Sequence, residues 1–148
     1  MTYAVVAHIR RRQDITPSEF RTHYDTVHVP LLKSLVGTAF PLTHTRNYVT
    51  RIPNAPDITL STLDKPQASG KVPGTEFAPI MYRGEASSVD YDSLTVMVWE
   101  DYPAFERFLE VFSSKEVSEK ILEDEKNFKD QSVKRIYALE QPSTAKRD

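Results

Sequence analysis

The chain of 148 residues contains no cysteine, only four glycines and no long hydrophobic run. The absence of cysteine excludes disulfide frameworks, thiolate metal sites and cysteine nucleophiles. The longest apolar stretch, residues 3–7, is far shorter than the roughly 20 residues of a membrane-spanning helix. The basic residues 10–12 follow this stretch, which is not the order found in a signal peptide. A net charge of −2 argues against an electrostatic grip on nucleic acid. The composition predicts a soluble, cytoplasmic protein with no nucleic-acid or membrane partner.

The length and the hydrophobic fraction of 39% predict one domain, residues 1–142, followed by a polar tail at 143–148. Segments rich in β-branched and aromatic residues are predicted strands. These are residues 3–10, 43–52, 93–100 and 133–140. The first and third are apolar at both odd and even positions, which is typical of strands covered on both faces.

The first predicted helix begins at Thr16-Pro17-Ser18-Glu19, where Thr16 is the N-cap residue and Glu19 completes a capping box. Gly37 is its predicted C-cap. Apolar side chains at steps of four, three and four define an inward face, namely Phe20, Tyr24, Val27 and Leu31. Pro30 interrupts this helix and frees the carbonyl group of Thr26.

Two further helices are predicted after the third strand. One starts at Asp101, and the other starts at a capping box from Ser113 to Glu116 and runs to about Asp130. Between the second and third strands, residues 53–90 contain five of the ten prolines and three of the four glycines. We interpret this region as a long loop insertion that covers the mouth of a pocket, with a short extended piece at 77–82.

The order of the elements predicts an α+β fold with a ferredoxin-like, four-stranded antiparallel sheet. Three helices can cover only one face of such a sheet, so its other apolar face is left in water. Two copies that close on each other through these faces would bury them. The pattern therefore predicts a homodimer in which two sheets close on each other.

His28 is the principal candidate for chemistry. It lies one turn after Tyr24, on the apolar side of the first helix and just before Pro30. Two interpretations fit: a core histidine that is bonded to the backbone, or an imidazole poised for proton transfer near neutral pH. His23 lies five residues earlier, which on an α-helix turns it about 140° away. This is not the i, i+4 spacing of a helical metal pair, so no metal site is predicted.

Two carboxylates near the end of the last predicted helix are the next candidates. Asp124 and Glu125 flank the inward stripe formed by Ile121 and Phe128. A carboxylate on an apolar face is costly unless it is paired or hydrogen-bonded. Either an edge carboxylate reaches water here, or one of the two orients a histidine or acts as an acid or base. The sequence does not decide which of them faces the pocket.

Polar side chains on the strands complete the set. His44, Arg46 and Tyr48 alternate onto one face of the second strand, and Tyr137 stands on the fourth beside Arg135. His44 could be an exposed residue at the strand end, and the two tyrosines could be packing residues with a polar tip. The functional interpretation is that all of them except Arg135 contact substrate, together with Tyr24. His8, in mid-strand between apolar residues, is predicted to be buried and is a second candidate for proton transfer. A structural histidine fits that position equally well.

The chain resembles the EthD-like proteins of the dimeric α/β-barrel superfamily. The resemblance rests on Tyr24-Asp-Thr-Val-His28-Val-Pro30-Leu31 after T-P-S-E-F, and on the Asp124-Glu125-x-x-Phe128 segment. The run from Phe40 to Tyr48, F-P-L-T-H-T-R-N-Y, and Asp90-Tyr91-Asp92 look like a fungal subgroup. The resemblance covers nearly the whole chain and is weakest at 53–80.

The resemblance implies a homodimer with a pocket between each sheet and its helices, and chemistry without a metal or organic cofactor. Similar fungal proteins act in aromatic polyketide pathways, as decarboxylases of anthrone-type carboxylic acids or as dehydratases. We therefore expect a cofactor-free lyase in secondary metabolism, with decarboxylation ahead of dehydration or cyclisation. The alternative from another class is a non-catalytic barrel that binds a planar aromatic ligand. A fold by itself does not choose between these functions.

Overall fold

The computed structural model describes residues 1–53 and 77–148. The strands in these ranges are β1 (Tyr3–Arg11), β2 (Thr43–Tyr48), β3 (Arg51–Pro53), β4 (Phe77–Pro79), β5 (Ser93–Trp99) and β6 (Lys129–Leu139). The α-helices are α1 (Pro17–His23), α2 (Val29–Val36), α3 (Tyr102–Phe112) and α4 (Lys115–Glu125). A π-helical turn, Tyr24–His28, joins α1 to α2.

Four strands form one sheet in the order β2-β5-β1-β6. All three neighbouring pairs are antiparallel, and the pairing of β1 with β6 contains an irregularity between His8 and Arg10. The predicted α+β class with a four-stranded antiparallel sheet is confirmed. Strand β1, one of the two inner strands, buries residues on both faces, as its apolar pattern predicts: Val5 and Ala7 point to one side and Val6 to the other.

The helices pack on one face of this sheet. Trp99, at the end of β5, is 1% exposed and lies in a cluster with residues of α2, α3 and α4. Its indole N–H donates to the carbonyl oxygen of Ala39 at 3.1 Å, so its polar edge is satisfied inside the core. A second cluster joins Phe20, Tyr24 and Phe128 to β1. In residues 1–53 and 77–148, no helix has the length and apolarity that crossing a membrane requires.

The start of α1 agrees with the sequence prediction. The backbone N–H of Glu19 donates to Thr16 Oγ1 at 3.1 Å, and the backbone N–H of Thr16 donates to Glu19 Oε1 at 3.0 Å. This reciprocal capping box satisfies two donors that a helix start leaves free. Gly37 ends α2 with a φ of 56°, a left-handed conformation that glycine adopts without steric cost.

The turn before Pro30 is π-helical. The N–H of Val29 donates to the carbonyl oxygen of Tyr24, five residues earlier. Pro30 has no N–H to offer the carbonyl group of Thr26, and its ring crowds that carbonyl group. The wider π winding changes which residues face inward. Val27 is 44% exposed, and the prediction that it lies on the inward face is wrong.

The buried stripe of this segment instead advances in steps of four. Its members are Phe20, Tyr24, His28, Leu32 and Val36, each at most 7% exposed. On a regular α-helix, steps of four drift by about 40° each at 3.6 residues per turn. In the π-helical turn each N–H donates to the carbonyl group five residues earlier, so each residue rotates less about the axis than in an α-helix. This smaller rotation offsets part of the drift. It therefore keeps His28 pointed at the sheet.

The predicted ends of the last helix and last strand need correction. The N-cap of α4 is Ser114, without a side-chain cap hydrogen bond, so the capping box predicted from Ser113 to Glu116 is wrong. The hydroxyl of Ser114 donates instead to the carbonyl oxygen of Val111 at 2.7 Å. The helix ends at Glu125 and not near Asp130, since β6 begins at Lys129 and pairs there with β1. Sheet pairing thus overrides the helical pattern of these residues.

Most of the predicted loop insertion, at 54–76, lies outside the described residues. Its predicted role in covering the pocket mouth therefore stays a prediction. The residues that flank it pair as strands β3 and β4. Beyond them, a buried charge network ties the region to the main sheet. Asp92 accepts from the backbone N–H of Arg11 at 2.9 Å and forms an ion pair with Arg51 at 2.7 Å.

Candidate functional site

A cavity of about 140 Å³ lies between the sheet and the helices. Its walls are mostly apolar and aromatic. They come from all four strands of the main sheet, from the π-helical turn and from α2, α3 and α4. Among its lining residues are Val5, Ala7, Met97, Trp99, Phe108 and Phe128. Five lining residues carry polar or titratable groups: Tyr24, His28, His44, Glu125 and Lys129. A few polar groups in an apolar concavity are typical of a small-molecule site.

His28 and Asp124 form a hydrogen-bonded pair at the wall of this cavity. His28 Nδ1 lies 2.9 Å from Asp124 Oδ2, and the two side chains are 9% and 10% exposed. Burial lowers the pKa of His28 below its usual range, although the hydrogen bond to Asp124 opposes that shift. At neutral pH the imidazole is therefore neutral, with its Nδ1–H donated to the carboxylate. The other ring nitrogen, Nε2, then carries a lone pair and can accept a proton.

Asp124 also binds His23, through its other oxygen. His23 Nε2 lies 2.9 Å from Asp124 Oδ1, and the His23 ring stacks on Phe128 with 4.9 Å between ring centroids. Burial alone would raise the pKa of Asp124, but hydrogen bonds from His28 and His23 outweigh it and hold the pKa below its usual range. The expectation that His23 points away from His28 is wrong. The π-helical turn between them brings residues five apart to the same side.

Glu125 is the carboxylate that lines the cavity, while Asp124 stands behind His28. Glu125 Oε2 accepts from Lys129 Nζ at 2.8 Å, and Glu125 Oε1 accepts from Gln131 Nε2 at 3.2 Å. The side chains of Glu125 and Lys129 are 16% and 15% exposed. The wall of this apolar cavity thus contains an ion pair. The ammonium group of Lys129 can contact an acidic group of a ligand there.

Tyr24 packs at the centre of the aromatic wall. Its ring centroid lies 5.7 Å from that of His28 and 5.3 Å from that of Phe128. Its hydroxyl is bonded to Thr95 Oγ1 at 2.9 Å, beneath the cavity. Burial raises the pKa of Tyr24 to about 12, so its phenol stays protonated. Its contact with substrate oxygen stays a prediction.

His44 lines the cavity from β2 and is held by Arg46. Arg46 Nη1 lies 2.7 Å from His44 Nδ1. A guanidinium group only donates, so His44 Nδ1 accepts and its ring is neutral with the proton on Nε2. Burial, followed by the charge of Arg46, lowers the pKa of His44 to about 4. His44 is thus a fixed hydrogen-bond donor at neutral pH.

Arg46 and Tyr48 are not among the cavity residues. Both donate to the same oxygen of Asp25, Arg46 Nε at 2.7 Å and the Tyr48 hydroxyl at 2.5 Å. Burial and the neighbouring Asp25 carboxylate raise the pKa of Tyr48 well above its usual range. This network fixes β2 to the π-helical turn and positions His44. The predicted contact of Arg46 and Tyr48 with substrate therefore gains no support from the cavity.

His8 and Tyr137 lie on the opposite face of the sheet. His8 Nε2 is 2.8 Å from the Tyr137 hydroxyl, and His8 Nδ1 accepts from Arg135 Nη2 at 3.1 Å. Tyr137 is 50% exposed, and His8 is half-buried, so the prediction that His8 is buried is wrong. The period of two in a strand sends these side chains away from Ala7 and Ile136, which line the cavity.

Sequence reasoning missed two residues of the site, His23 and Lys129. A sequence feature could have indicated His23. The apolar stripe through His28 advances in steps of four residues, which regular α-helical winding does not keep on one face. Lys129 was hidden because an i, i+4 pair with Glu125 is expected on any helix surface. Within 1–53 and 77–148, no group of three or more histidine, aspartate or glutamate side chains has the arrangement of a metal site.

Comparison with known proteins adds the family relationship. The family model described as the EthD domain matches residues 12–132. No curated protein matches the sequence. The crystal structure of an EthD-like protein from Ralstonia eutropha JMP134 is similar, with 14% identity, a TM-score of 0.51 and coverage of 94% of this chain and 90% of that chain. An ethyl tert-butyl ether D (EthD) family protein from Bacillus halodurans C-125 has 15% identity, a TM-score of 0.47 and coverage of 96% and 100%. The first of these likenesses shows a shared fold.

Proposed function

This chain belongs to the EthD domain family, and from that premise we propose that it is a cofactor-independent lyase of aromatic polyketide metabolism. Its reaction is the decarboxylation of an anthrone-type carboxylic acid by general acid–base catalysis. The observation that carries the proposal is the His28–Asp124 pair, at 2.9 Å, on the wall of an aromatic cavity. The resemblance of Phe40 to Tyr48 and of Asp90 to Asp92 to fungal polyketide-pathway proteins supports the substrate class.

His28 has the protonation state that the reaction needs. As a neutral imidazole fixed at Nδ1 by Asp124, it takes the carboxyl proton of the substrate at Nε2. The resulting imidazolium then gives this proton to the ring carbon that bears the carboxyl group. The electron pair of the breaking C–C bond forms the new C–H bond, and carbon dioxide leaves. The imidazole ends the cycle neutral, so the acid is converted to arene and carbon dioxide without another reactant.

The cavity suits one ring of a fused aromatic system. An engineered apolar cavity of about 150 Å³ binds benzene, and the present cavity measures about 140 Å³. Ile136, at its edge, is 67% exposed, so further rings would extend past this side chain toward solvent. Lys129, which is paired with Glu125, offers N–H donors to the carboxyl group of the substrate. His44 provides an N–H donor for a substrate oxygen.

A homodimer completes the proposal. The strand order β2-β5-β1-β6 supports the predicted ferredoxin-like sheet. Its helix-free face carries Leu94, Val96 and Val98, which are only partly buried. Closing two such faces on each other removes their apolar side chains from water. In sedimentation experiments we expect twice the chain mass of 16.9 kDa. A stable folded monomer at micromolar concentration would contradict the dimeric barrel.

Turnover of anthrone-type acids by purified protein, without added metal or flavin, tests the activity. Mass spectrometry separates loss of carbon dioxide from loss of water, the product of the alternative dehydratase. We expect His28→Gln to reduce kcat by about 10²–10⁴-fold, the usual contribution of general acid–base catalysis, while the protein remains folded. Binding without turnover would support the non-catalytic alternative instead.

His8→Asn tests the competing location on the other face of the sheet. His8 also accepts a hydrogen bond from an arginine and is hydrogen-bonded to a tyrosine. These contacts are of the kind expected for a catalytic histidine. If His8→Asn abolishes turnover and His28→Gln does not, the chemistry takes place outside the described cavity and the proposal is wrong.

A further inference from the structure

One carboxylate bridges two histidines beside the cavity. Asp124 Oδ1 is 2.9 Å from His23 Nε2, and Asp124 Oδ2 is 2.9 Å from His28 Nδ1. The two imidazoles differ in their access to solvent: the His23 side chain is 23% exposed, against 9% for His28. The outer histidine thus meets water while the inner one meets the cavity, and Asp124 contacts both.

We infer that His23 is a positioning residue, which holds Asp124 by one oxygen so that the other orients His28, and whose charge sets how strongly Asp124 supports a proton on His28. This inference deepens the proposed function and rests on it for its catalytic meaning. The coupling itself is a property of the free protein, and it can be measured without a substrate.

The direction of the coupling follows from charge. With neutral His23, the full negative charge of Asp124 is available to stabilise the imidazolium form of His28. When His23 gains a proton, its positive charge offsets that of Asp124, and a second proton on His28 becomes less favourable. Two sites that interact in this way titrate as a pair. A proton on His23 therefore weakens His28 as a base even while His28 itself is neutral.

Other charged groups around the pair are accounted for. Glu125 favours and Lys129 disfavours a proton on His28, and these two neutralise each other as an ion pair. His44, from β2, stays neutral beside Arg46. On the outer side, Glu19 and Asn127 border the groove next to His23. Glu19 is held by the capping box, and Asn127 Nδ2 donates to Asp124 Oδ1 at 3.4 Å. His23 is thus the titratable group bound directly to Asp124 on the solvent side.

Two substitutions of His23 separate its charge from its hydrogen bond. His23→Gln places an amide N–H near the position of Nε2, so Asp124 keeps a donor but the titrating ring is lost. His23→Phe keeps an aromatic ring that can stack on Phe128 but has no donor. A purely packing role predicts that the Phe variant is the milder change, whereas positioning through Asp124 predicts that the Gln variant is.

The first test is an NMR titration of the His28 ring in full-length protein. We expect His23→Gln to raise the midpoint of His28 by at least half a pH unit, because the competing positive charge is gone. In an Asp124→Asn background the same substitution should shift the midpoint by less, since the shared carboxylate carries the coupling. An unchanged midpoint in His23→Gln, or an equal shift in both backgrounds, would overturn the inference.

The second test uses the proposed reaction. We expect His23→Phe to lower kcat by about 10–100-fold and to leave KM nearly unchanged. This range corresponds to the loss of one hydrogen bond to a charged group. His23→Gln should restore kcat to the wild-type level above pH 7.5 and should extend activity to lower pH. Equal kcat in the Phe and Gln variants would contradict positioning. If wild-type protein turns over no substrate, the proposed function fails, whereas the NMR titration still decides the coupling.

Discussion

Acid should destabilise this protein partly through His44. The ring lies against the cavity, and its Nδ1 accepts from Arg46 Nη1 at 2.7 Å. A proton on Nδ1 would break this hydrogen bond and would place two positive charges side by side. Burial and the charge of Arg46 together lower the pKa of His44 to about 4 in the folded protein.

The magnitude follows from proton linkage. An unfolded histidine titrates at 6.5, so the unfolded chain binds a proton that folded His44 refuses between pH 6.5 and about pH 4. The stabilising contribution is complete above pH 6.5 and is lost as the pH falls toward 4. At about 1.4 kcal/mol per pH unit, this interval corresponds to a loss of about 3 kcal/mol. Domains of this kind have total stabilities of about 5–15 kcal/mol, so the loss is a substantial fraction.

Urea unfolding of wild type and His44→Asn, at one protein concentration between pH 4 and pH 7.5, measures this contribution. Asn keeps a short side-chain oxygen that can accept from Arg46, but it does not titrate. We expect wild type to lose about 3 kcal/mol more than His44→Asn between pH 6.5 and pH 4. His8→Asn is the matched control, because His8 also accepts from an arginine but is less deeply buried than His44, so its effect should be smaller. Parallel curves for wild type and His44→Asn would refute the reasoning.

Three further predictions concern stability and can be checked by urea unfolding at pH 7. Asp92→Ala should lower the free energy of unfolding by about 3–5 kcal/mol, because it leaves the buried guanidinium groups of Arg11 and Arg51 without their carboxylate. A loss below about 1 kcal/mol would contradict this. Phe128→Ala should also cost about 3–5 kcal/mol, since Phe128 is 1% exposed, and a near-neutral result would show that the site collapses around the gap. Thr16→Ala should cost about 0.5–2 kcal/mol through the lost N-cap, and an unchanged midpoint would mean that the capping box adds no stability.

The sequence predicted the elements whose signals are local. The capping box at Thr16, the glycine that ends α2 and the four main strands were found because each depends on residues close together in the chain. The choice of His28 as the central residue also came from a local feature, its place before Pro30. Its partner was narrowed to Asp124 or Glu125 because a carboxylate beside an apolar stripe needs a binding partner.

What the sequence could not give depends on winding and on distant pairing. Regular α-helical geometry predicted the wrong direction for His23, because the π-helical turn that follows it changes the angle between successive residues. The last helix was extended past Glu125 because its residues favour a helix locally, whereas the pairing of Lys129 with Arg11 draws them into the sheet. His8 was predicted to be buried because its neighbours are apolar, but it stands on the helix-free face of β1 beyond Val6 and is only half-buried there.

Glu125, which lines the cavity, and Asp25 and Asp124, which lie behind its wall, differ in what their partners can do. Asp25 is bound by Arg46 and Tyr48, and Glu125 is bound by the ammonium group of Lys129. Neither set contains an imidazole, so each fixes geometry. Asp124 alone of the three is bound by two imidazoles, the side chains that gain and lose protons near neutral pH. A change of protonation at His28 therefore acts directly on Asp124, which is why chemistry and its pH dependence are expected to fail together in variants of this residue.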